Sequence, residues 1–128
     1  MSDERLIPRE EEEQGRTYDI KIVQPEMETT FFVTINHKFV DGKMRPMELF
    51  IHTSHGPSFE HVAAISLLVS ALLRARNERP EVIMEGLGAI VSPFTEHWRK
   101  GEKSPSLYAS VGDCLREHME WLAKLRDI

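Results

Sequence analysis

The stretch that decides the fold is VTINHKFVDGKMRPMELFIHTSHGPSFEHVAAISLLVSALL, which runs from Val33 to Leu73. Two segments of alternating apolar and polar residues flank the dipeptide Asp41-Gly42, and a long apolar segment follows them. Asp-Gly between alternating segments signals a β-hairpin, because glycine accepts the positive φ that a tight turn requires. The stretch therefore predicts an antiparallel hairpin that leads into a buried helix.

A further strand is predicted before the hairpin. From Thr17 onward, apolar residues alternate with polar ones, which is the pattern of a half-buried strand. The apolar set consists of Tyr18, Ile20 and Ile22. The segment QPEME contains Pro25 and separates this strand from the next as a turn.

Three helices are predicted after the hairpin. Ser58 is a cap residue for the first, which should extend to about Arg76 and is apolar on nearly every side. Such a helix needs cover from the sheet and from other helices or a second subunit. The second should run from Pro80 to Leu87, and the third should begin at Ser104-Pro105. The fold class is α+β: a small antiparallel sheet of about three strands followed by three helices, the first long and buried.

Length and composition indicate one ordinary globular domain. The chain has 128 residues, of which 41% are hydrophobic and 29% charged. Residues 1–16 carry the acidic run from Glu10 to Glu13 and are predicted to be flexible, whereas residues 17–128 should form a single domain. The net charge of −5 argues against a nucleic-acid partner, since binding to a phosphate backbone depends on clustered Lys and Arg.

The sequence also carries information about the cellular compartment. Its single cysteine, Cys114, cannot form an intramolecular disulfide, and the N-terminus has no signal-peptide pattern. The apolar run VAAISLLVSALL is shorter than the roughly 20 residues that cross a bilayer. We therefore expect a cytoplasmic protein that does not enter a membrane.

Three further motifs are specific: VTIN, RPMELFI and PSLYASVG. These motifs and their order along about residues 15–119 resemble the TSCPD domain, which lies near the C-terminus of adenosylcobalamin-dependent ribonucleotide reductases and also occurs in small stand-alone proteins. The resemblance implies an α+β fold and an association with nucleotide metabolism, but it carries no established catalytic residues. A chain of this length with one cysteine has neither the cobalamin-binding barrel nor the redox cysteines of the reductase, so we expect no enzyme activity and no cofactor.

Two functions are compatible with this resemblance. One is a non-catalytic binding protein for a nucleotide or another phosphate-bearing small molecule, including a protein that sequesters a nucleotide signal. Reuse of the domain by a genome that never needed the reductase, such as that of a phage, is compatible with this function. The other is an interaction module that binds a ribonucleotide reductase subunit and has no ligand of its own.

Candidate ligand-binding residues lie at strand ends, at a helix start and in a basic loop. A helix N-terminus with nearby Ser and His donors is suited to an anion, and an arginine can pair with phosphate through two hydrogen bonds. In the loop SPFTEHWRKGEKSPS, an aromatic ring beside positive charge can stack a base and hold a phosphate. The predicted set is Asn36, Arg45, Glu48, His52, Ser54, His55, Trp98 and Arg99.

Each of these residues also has a purely structural interpretation. Arg45 could bridge to Glu48 or to a loop carboxylate, and the basic loop could be a surface connection pinned by Trp98. His52, His55 and His61 could form a zinc site, but their spacing fits no established ligand motif, and we predict no metal. Cys114 lies among apolar positions of the third helix, where a thiol is usually inert packing.

Phe32 and Phe50 are predicted interface residues. They alternate with the aliphatic set and share a sheet face with polar residues, so a second helical layer, a twin subunit, a larger partner or a flat ligand could cover that face. Together with the apolar first helix, this face predicts a homodimer or a higher homo-oligomer.

Overall fold

The computed structural model describes residues 5–24, 27–53, 60–76, 78–91, 96–99 and 101–126. Within these residues the chain forms one sheet and three helices. In chain order the elements are β1 (Gln14–Gln24), β2 (Met27–Val40), β3 (Lys43–Thr53), α1 (Glu60–Arg74), α2 (Pro80–Gly88), β4 (Glu96–Arg99), β5 (Glu102–Ser104) and α3 (Leu107–Arg126).

The three long strands form the antiparallel meander that the alternating pattern predicts. β1 pairs with β2 and β2 with β3, both antiparallel. Asp41 and Gly42 have φ values of 51° and 83°, as the tight turn of the hairpin requires. The predicted α+β layout, with three strands followed by three helices, is confirmed.

The sheet also has two short strands that the sequence analysis treats as a loop. β4 pairs with β1, with Trp98 opposite Lys21, and β5 pairs with β4, so the strand order is β3-β2-β1-β4-β5. Gly101, with a φ of 77°, lies between the two strands. Strands of four and three residues are too short to show an alternating pattern, which explains why the sequence did not reveal them.

The aliphatic side of the sheet, called the inner face, packs against the helices to form the core. Its fully buried residues include Ile20, Val33, Ile35 and Leu49, which are the apolar positions of the alternating pattern. The opposite side, called the outer face, carries the intervening residues. At Asn36 and His37 the β2–β3 register shifts, so Met47 is an extra residue on β3 and packs with Ile7 and Val40.

Helix α1 lies along the free edge of β3, and two of its serines form hydrogen bonds with backbone groups of that strand. The Leu49 amide donates to Ser70 Oγ (2.9 Å), which in turn donates to the Leu49 carbonyl (2.8 Å). The Ile51 amide donates to Ser66 Oγ (3.0 Å). These hydroxyls occupy positions that another strand would otherwise take, which protects the edge from pairing with a second chain.

The first helix is predicted to be long and buried, but in the single chain only one side of α1 is buried. Val62, Ser66, Val69 and Leu73 are buried, whereas the exposed fractions are 70% for Leu67, 62% for Leu68 and 45% for Leu72. With 15 residues, α1 is shorter than α3, which has 20.

Helix α3 begins two residues after the predicted Ser104-Pro105 start. Ser106 is the cap, because its Oγ accepts the Ala109 amide (2.9 Å) and donates to the Ile90 carbonyl (2.6 Å). Gly112 allows close contact with α2, since a Cβ there would lie 3.1 Å from the Met84 carbonyl oxygen. Cys114 is buried in the core, as expected for a packing residue.

The N-terminal segment makes specific contacts within the region predicted to be flexible. Ile7 is fully buried, and its amide donates to the Arg74 carbonyl (2.7 Å) at the end of α1. Lys38 Nζ bonds to the Pro8 carbonyl and to Glu13 Oε1, both at 2.9 Å. The first strand also begins at Gln14, before the predicted boundary at residue 17.

A buried chain of hydrogen bonds joins α3 to the first two strands. Tyr18 Oη lies 2.8 Å from His118 Nδ1, and His118 Nε2 lies 3.1 Å from His37 Nδ1. Trp121 packs against both imidazoles, and the Arg16 guanidinium lies 4.6 Å from the centre of the Trp121 ring. Burial, the neighbouring His37 and Arg16 together lower the pKa of His118 to about 4.

We expect the stability of the fold to depend on His118 between pH 7.5 and pH 5.0. In the unfolded chain His118 takes up a proton near pH 6.5, whereas in the folded chain its lowered pKa opposes protonation. The contribution of His118 to stability is therefore fully present above pH 6.5 and is lost as the pH falls towards 4. The free energy of unfolding should fall by about 2 kcal/mol over this range because of His118. Urea titrations at pH 7.5 and pH 5.0 measure this change in the free energy of unfolding.

His118→Gln should remove this part of the pH dependence, whereas His52→Gln, on the exposed outer face, serves as the matched control. The same pH dependence in His118→Gln as in the natural protein would show that His118 is not the group responsible.

Candidate functional site

The outer face of the sheet brings together five of the predicted residues. In the β2–β3 register, Phe32 lies opposite His52 and Asn36 lies opposite Glu48, while Phe50 pairs with Thr34. The three helices in the described part of the chain pack on the inner face, so they do not form the second helical layer that would make Phe32 and Phe50 core residues.

The polar end of this face is a closed network. Glu48 is only 2% exposed, and its two carboxylate oxygens accept from Asn36 Nδ2 (2.7 Å) and from Arg9 Nε (2.9 Å). A buried carboxylate needs such partners because its desolvation is otherwise costly. Glu48 and Asn36 therefore hold the N-terminal segment on the sheet in this structure.

The aromatic end of the face is more open. The Phe32 and His52 rings stack with centroids 5.7 Å apart, and Phe50 is 37% exposed. Thr34 Oγ1 lies 2.9 Å from Thr17 Oγ1 and 3.4 Å from His52 Nε2. This combination of aromatic rings and hydroxyls is suited to a flat apolar surface of another molecule.

Arg45 lies away from this face and stabilises the end of α1. Its two Nη groups donate to the carbonyls of Leu73 (2.8 Å), Glu78 (3.2 Å) and Arg76 (3.3 Å). The last carbonyls of a helix have no partner within the helix, so a guanidinium at this position satisfies them. Burial lowers the pKa of Arg45, while the carboxylates of Glu81 and Asp41 raise it.

Beside Arg45, a cleft opens between the β2–β3 turn, the start of α2 and the end of α3. Its volume is about 520 Å³, which lies within the range of small-molecule sites. Its apolar lining includes Met44, Met119 and Leu122. We call this cavity the turn cleft.

The polar lining of the turn cleft is mixed in charge. It contains four cationic residues (Lys43, Arg45, Arg76 and Arg79) and three carboxylates (Asp41, Glu78 and Glu81). Arg76 Nη1 is 3.1 Å from both Asp41 oxygens, so this pair neutralises itself. The side chains of Lys43 and Arg79, in contrast, form no ion pair with the residues that the structure describes.

Of the predicted ligand-binding residues, Arg45 lines the turn cleft, whereas Lys43, Arg76 and Arg79 were not among them. A signal was present in RARNERP, residues 74–80, which has three arginines within six positions. Arg76 and Arg79 lie beside the β2–β3 turn because of the path that the chain takes after α1, and no local sequence pattern predicts that path.

Four predicted ligand-binding residues belong to neither the outer face nor the turn cleft as the structure describes them. Ser54 and His55 lie outside the described residues. Trp98 and Arg99 are on β4, where the description covers the backbone alone.

Among the described residues, no group of three or more His, Cys, Asp or Glu side chains is arranged to hold a metal ion. None of the helices described has the length and apolarity needed to span a membrane.

The family model described as TSCPD domain matches residues 4–119. Neither the curated proteins nor the solved structures contain a significant match.

Replacing Arg45 should weaken the fold rather than a ligand contact alone. We expect Arg45→Met to lower the free energy of unfolding by about 1.5–3 kcal/mol, since hydrogen bonds from a charged group to the end of α1 are lost. Arg79→Met is the matched control in the same cleft and should change stability little. Chemical denaturation measures both, and equal stabilities would show that Arg45 does not support α1.

Proposed function

Since this chain belongs to the TSCPD domain family, we propose that it is a non-catalytic binding protein for a nucleotide or another phosphate-bearing small molecule. The observation that carries this proposal is the turn cleft, which combines an apolar lining with cationic side chains in a volume of about 520 Å³. A nucleotide has the same two parts, a flat ring system and an anionic group.

The apolar side of the cleft supports binding of the ring. Met44, Met119 and Leu122 come from the β2–β3 hairpin and from α3, so they line the cleft from two elements. Methionine adapts to irregular shapes and makes favourable contacts with aromatic rings. We assign this side to the base.

The cationic rim supports binding of the phosphate. Lys43 and Arg79 are exposed, and neither is neutralised by a described partner. Arg79 directly precedes α2, and Pro80 occupies the first helical position. The positive end of the helix therefore adds to the charge of Lys43 and Arg79 on that side of the cleft.

The carboxylates limit the charge that the cleft can accept. Glu78 and Glu81 line the same rim, where they can accept hydrogen bonds from sugar hydroxyls but repel further phosphates. We therefore expect a preference for ligands with one phosphate or a cyclic phosphate over nucleoside triphosphates.

We assign binding rather than catalysis to this cleft. The described residues that line it include no histidine, cysteine, serine or tyrosine, and its other groups that can carry a proton or act as nucleophiles, on Asp41, Lys43, Glu78 and Glu81, lie on exposed residues. A protein of this kind would hold its ligand in a fixed ratio, as sequestration of a nucleotide signal requires.

A thermal-shift screen with nucleoside mono-, di- and triphosphates and cyclic nucleotides tests the proposal. A ligand at 100 times its Kd should stabilise the folded state by about 2.7 kcal/mol, which raises Tm by several degrees. Calorimetry should show at least tenfold weaker binding for Arg79→Ala and Lys43→Ala. Arg116→Ala, which removes the same charge from an exposed position on α3, should bind normally.

Two results would contradict this assignment. If no nucleotide class changes Tm, the proposed ligand class is wrong. If a nucleotide binds equally well to Arg79→Ala and Lys43→Ala, the site lies elsewhere.

The outer face favours a second function, an interaction module that binds a ribonucleotide reductase subunit without a ligand of its own. The partly exposed Phe50 beside the stacked Phe32 and His52 rings is the specific observation that favours it. In that case Phe32→Ser and Phe50→Ser should abolish capture of the subunit by the immobilised protein while the fold is retained.

A further inference from the structure

The outward side of α1 is an apolar surface without charge. Leu67, Leu68 and Leu72 are exposed on it, together with the alanines Ala63, Ala64 and Ala71. Between His61 and Leu73 the helix has no Asp, Glu, Lys or Arg. The solvent side of a surface helix normally carries such residues, and a continuous apolar patch usually marks a contact with another molecule.

We propose that two copies of this chain associate through α1, with their helices antiparallel about a two-fold axis near Leu67 and Leu68. This dimer contact does not depend on the proposed ligand, because none of the residues that line the turn cleft belongs to the outward side of α1.

The arrangement of large and small residues fits a second copy. Leu67 and Leu68 are at the middle of α1, and Ala64 and Ala71 lie at equal distances on either side. In an antiparallel pair, Ala64 therefore lies opposite the partner's Ala71. Small residues at these positions let two helices approach to about 8–10 Å while the leucines fill the grooves between them.

The ends of the helix also complement each other. A two-fold axis places the N-terminal end of one α1 beside the C-terminal end of its partner. The two helix dipoles are then opposed, so the positive end of each lies beside the negative end of the other. A second copy supplies this match automatically, whereas an unrelated partner would need both an uncharged centre and the same polarity.

The size of the surface sets the expected strength. A helix of 15 residues is about 22 Å long, and such a helix alone provides less than the roughly 800 Å² per partner of a stable interface. We therefore expect a reversible dimer that forms in the micromolar range.

Sedimentation velocity from 1 to 300 µM tests the proposal. The natural chain should shift from monomer to dimer over this range, and Leu67→Gln/Leu68→Gln should raise the dissociation constant at least tenfold. Leu125→Gln, at an exposed position on α3, is the matched control and should behave like the natural chain. Circular dichroism confirms that each variant is folded.

Disulfide trapping provides a test that does not rely on loss of association. Leu68→Cys should form a covalent dimer under mild oxidation at 100 µM, while Leu125→Cys should not, and the native Cys114 is buried. The proposal is overturned if the natural chain stays monomeric at 300 µM. It is also overturned if Leu67→Gln/Leu68→Gln dimerises normally, or if Phe50→Ser alone abolishes the dimer.

Discussion

An edge strand leaves backbone N–H and C=O groups without partners on one side, and in β3 the hydroxyls of Ser66 and Ser70 fill this role. This contact fixes both the position and the rotation of α1. The serines face the strand, so the leucines at Leu67 and Leu68 face away from it. The end of the helix then lies beside the β2–β3 hairpin, where Arg45 satisfies its last carbonyls. The turn cleft forms at this junction, so its geometry depends on the same contact.

The two faces of the sheet bury different kinds of side chain. The inner face is filled by aliphatic residues, and its buried polar groups are joined in the chain from Tyr18 through His118 to His37. The outer face buries the carboxylate of Glu48 and provides it with an amide and a guanidinium. Both networks connect distant parts of the sequence, since His118 belongs to α3 and Arg9 to the N-terminal segment. They therefore specify the packing of elements that apolar contacts alone would position less uniquely.

Local patterns in the sequence were sufficient for the main elements. Alternation identified the three long strands, the Asp41-Gly42 turn and the buried set that includes Val33 and Ile35, because strand periodicity determines which side each residue faces. β4 and β5 were missed because they are too short to show periodicity. The cap at Ser106 was misplaced by two residues because Ser104-Pro105 offers the same local chemistry. The lining of the turn cleft comes from three separate segments, and only tertiary packing brings them together.

The most direct measurement is hydrogen exchange, followed by NMR, at the backbone amides of Leu49 and Ile51. Both amides donate to serine hydroxyls of α1, so we expect them to exchange as slowly as the core amides of the central strand β2. Ser66→Ala/Ser70→Ala should accelerate both. Exchange at the rate of a solvent-exposed edge strand in the natural protein would contradict the placement of α1, and with it the turn cleft and the exposure of the leucines on the outward side of α1.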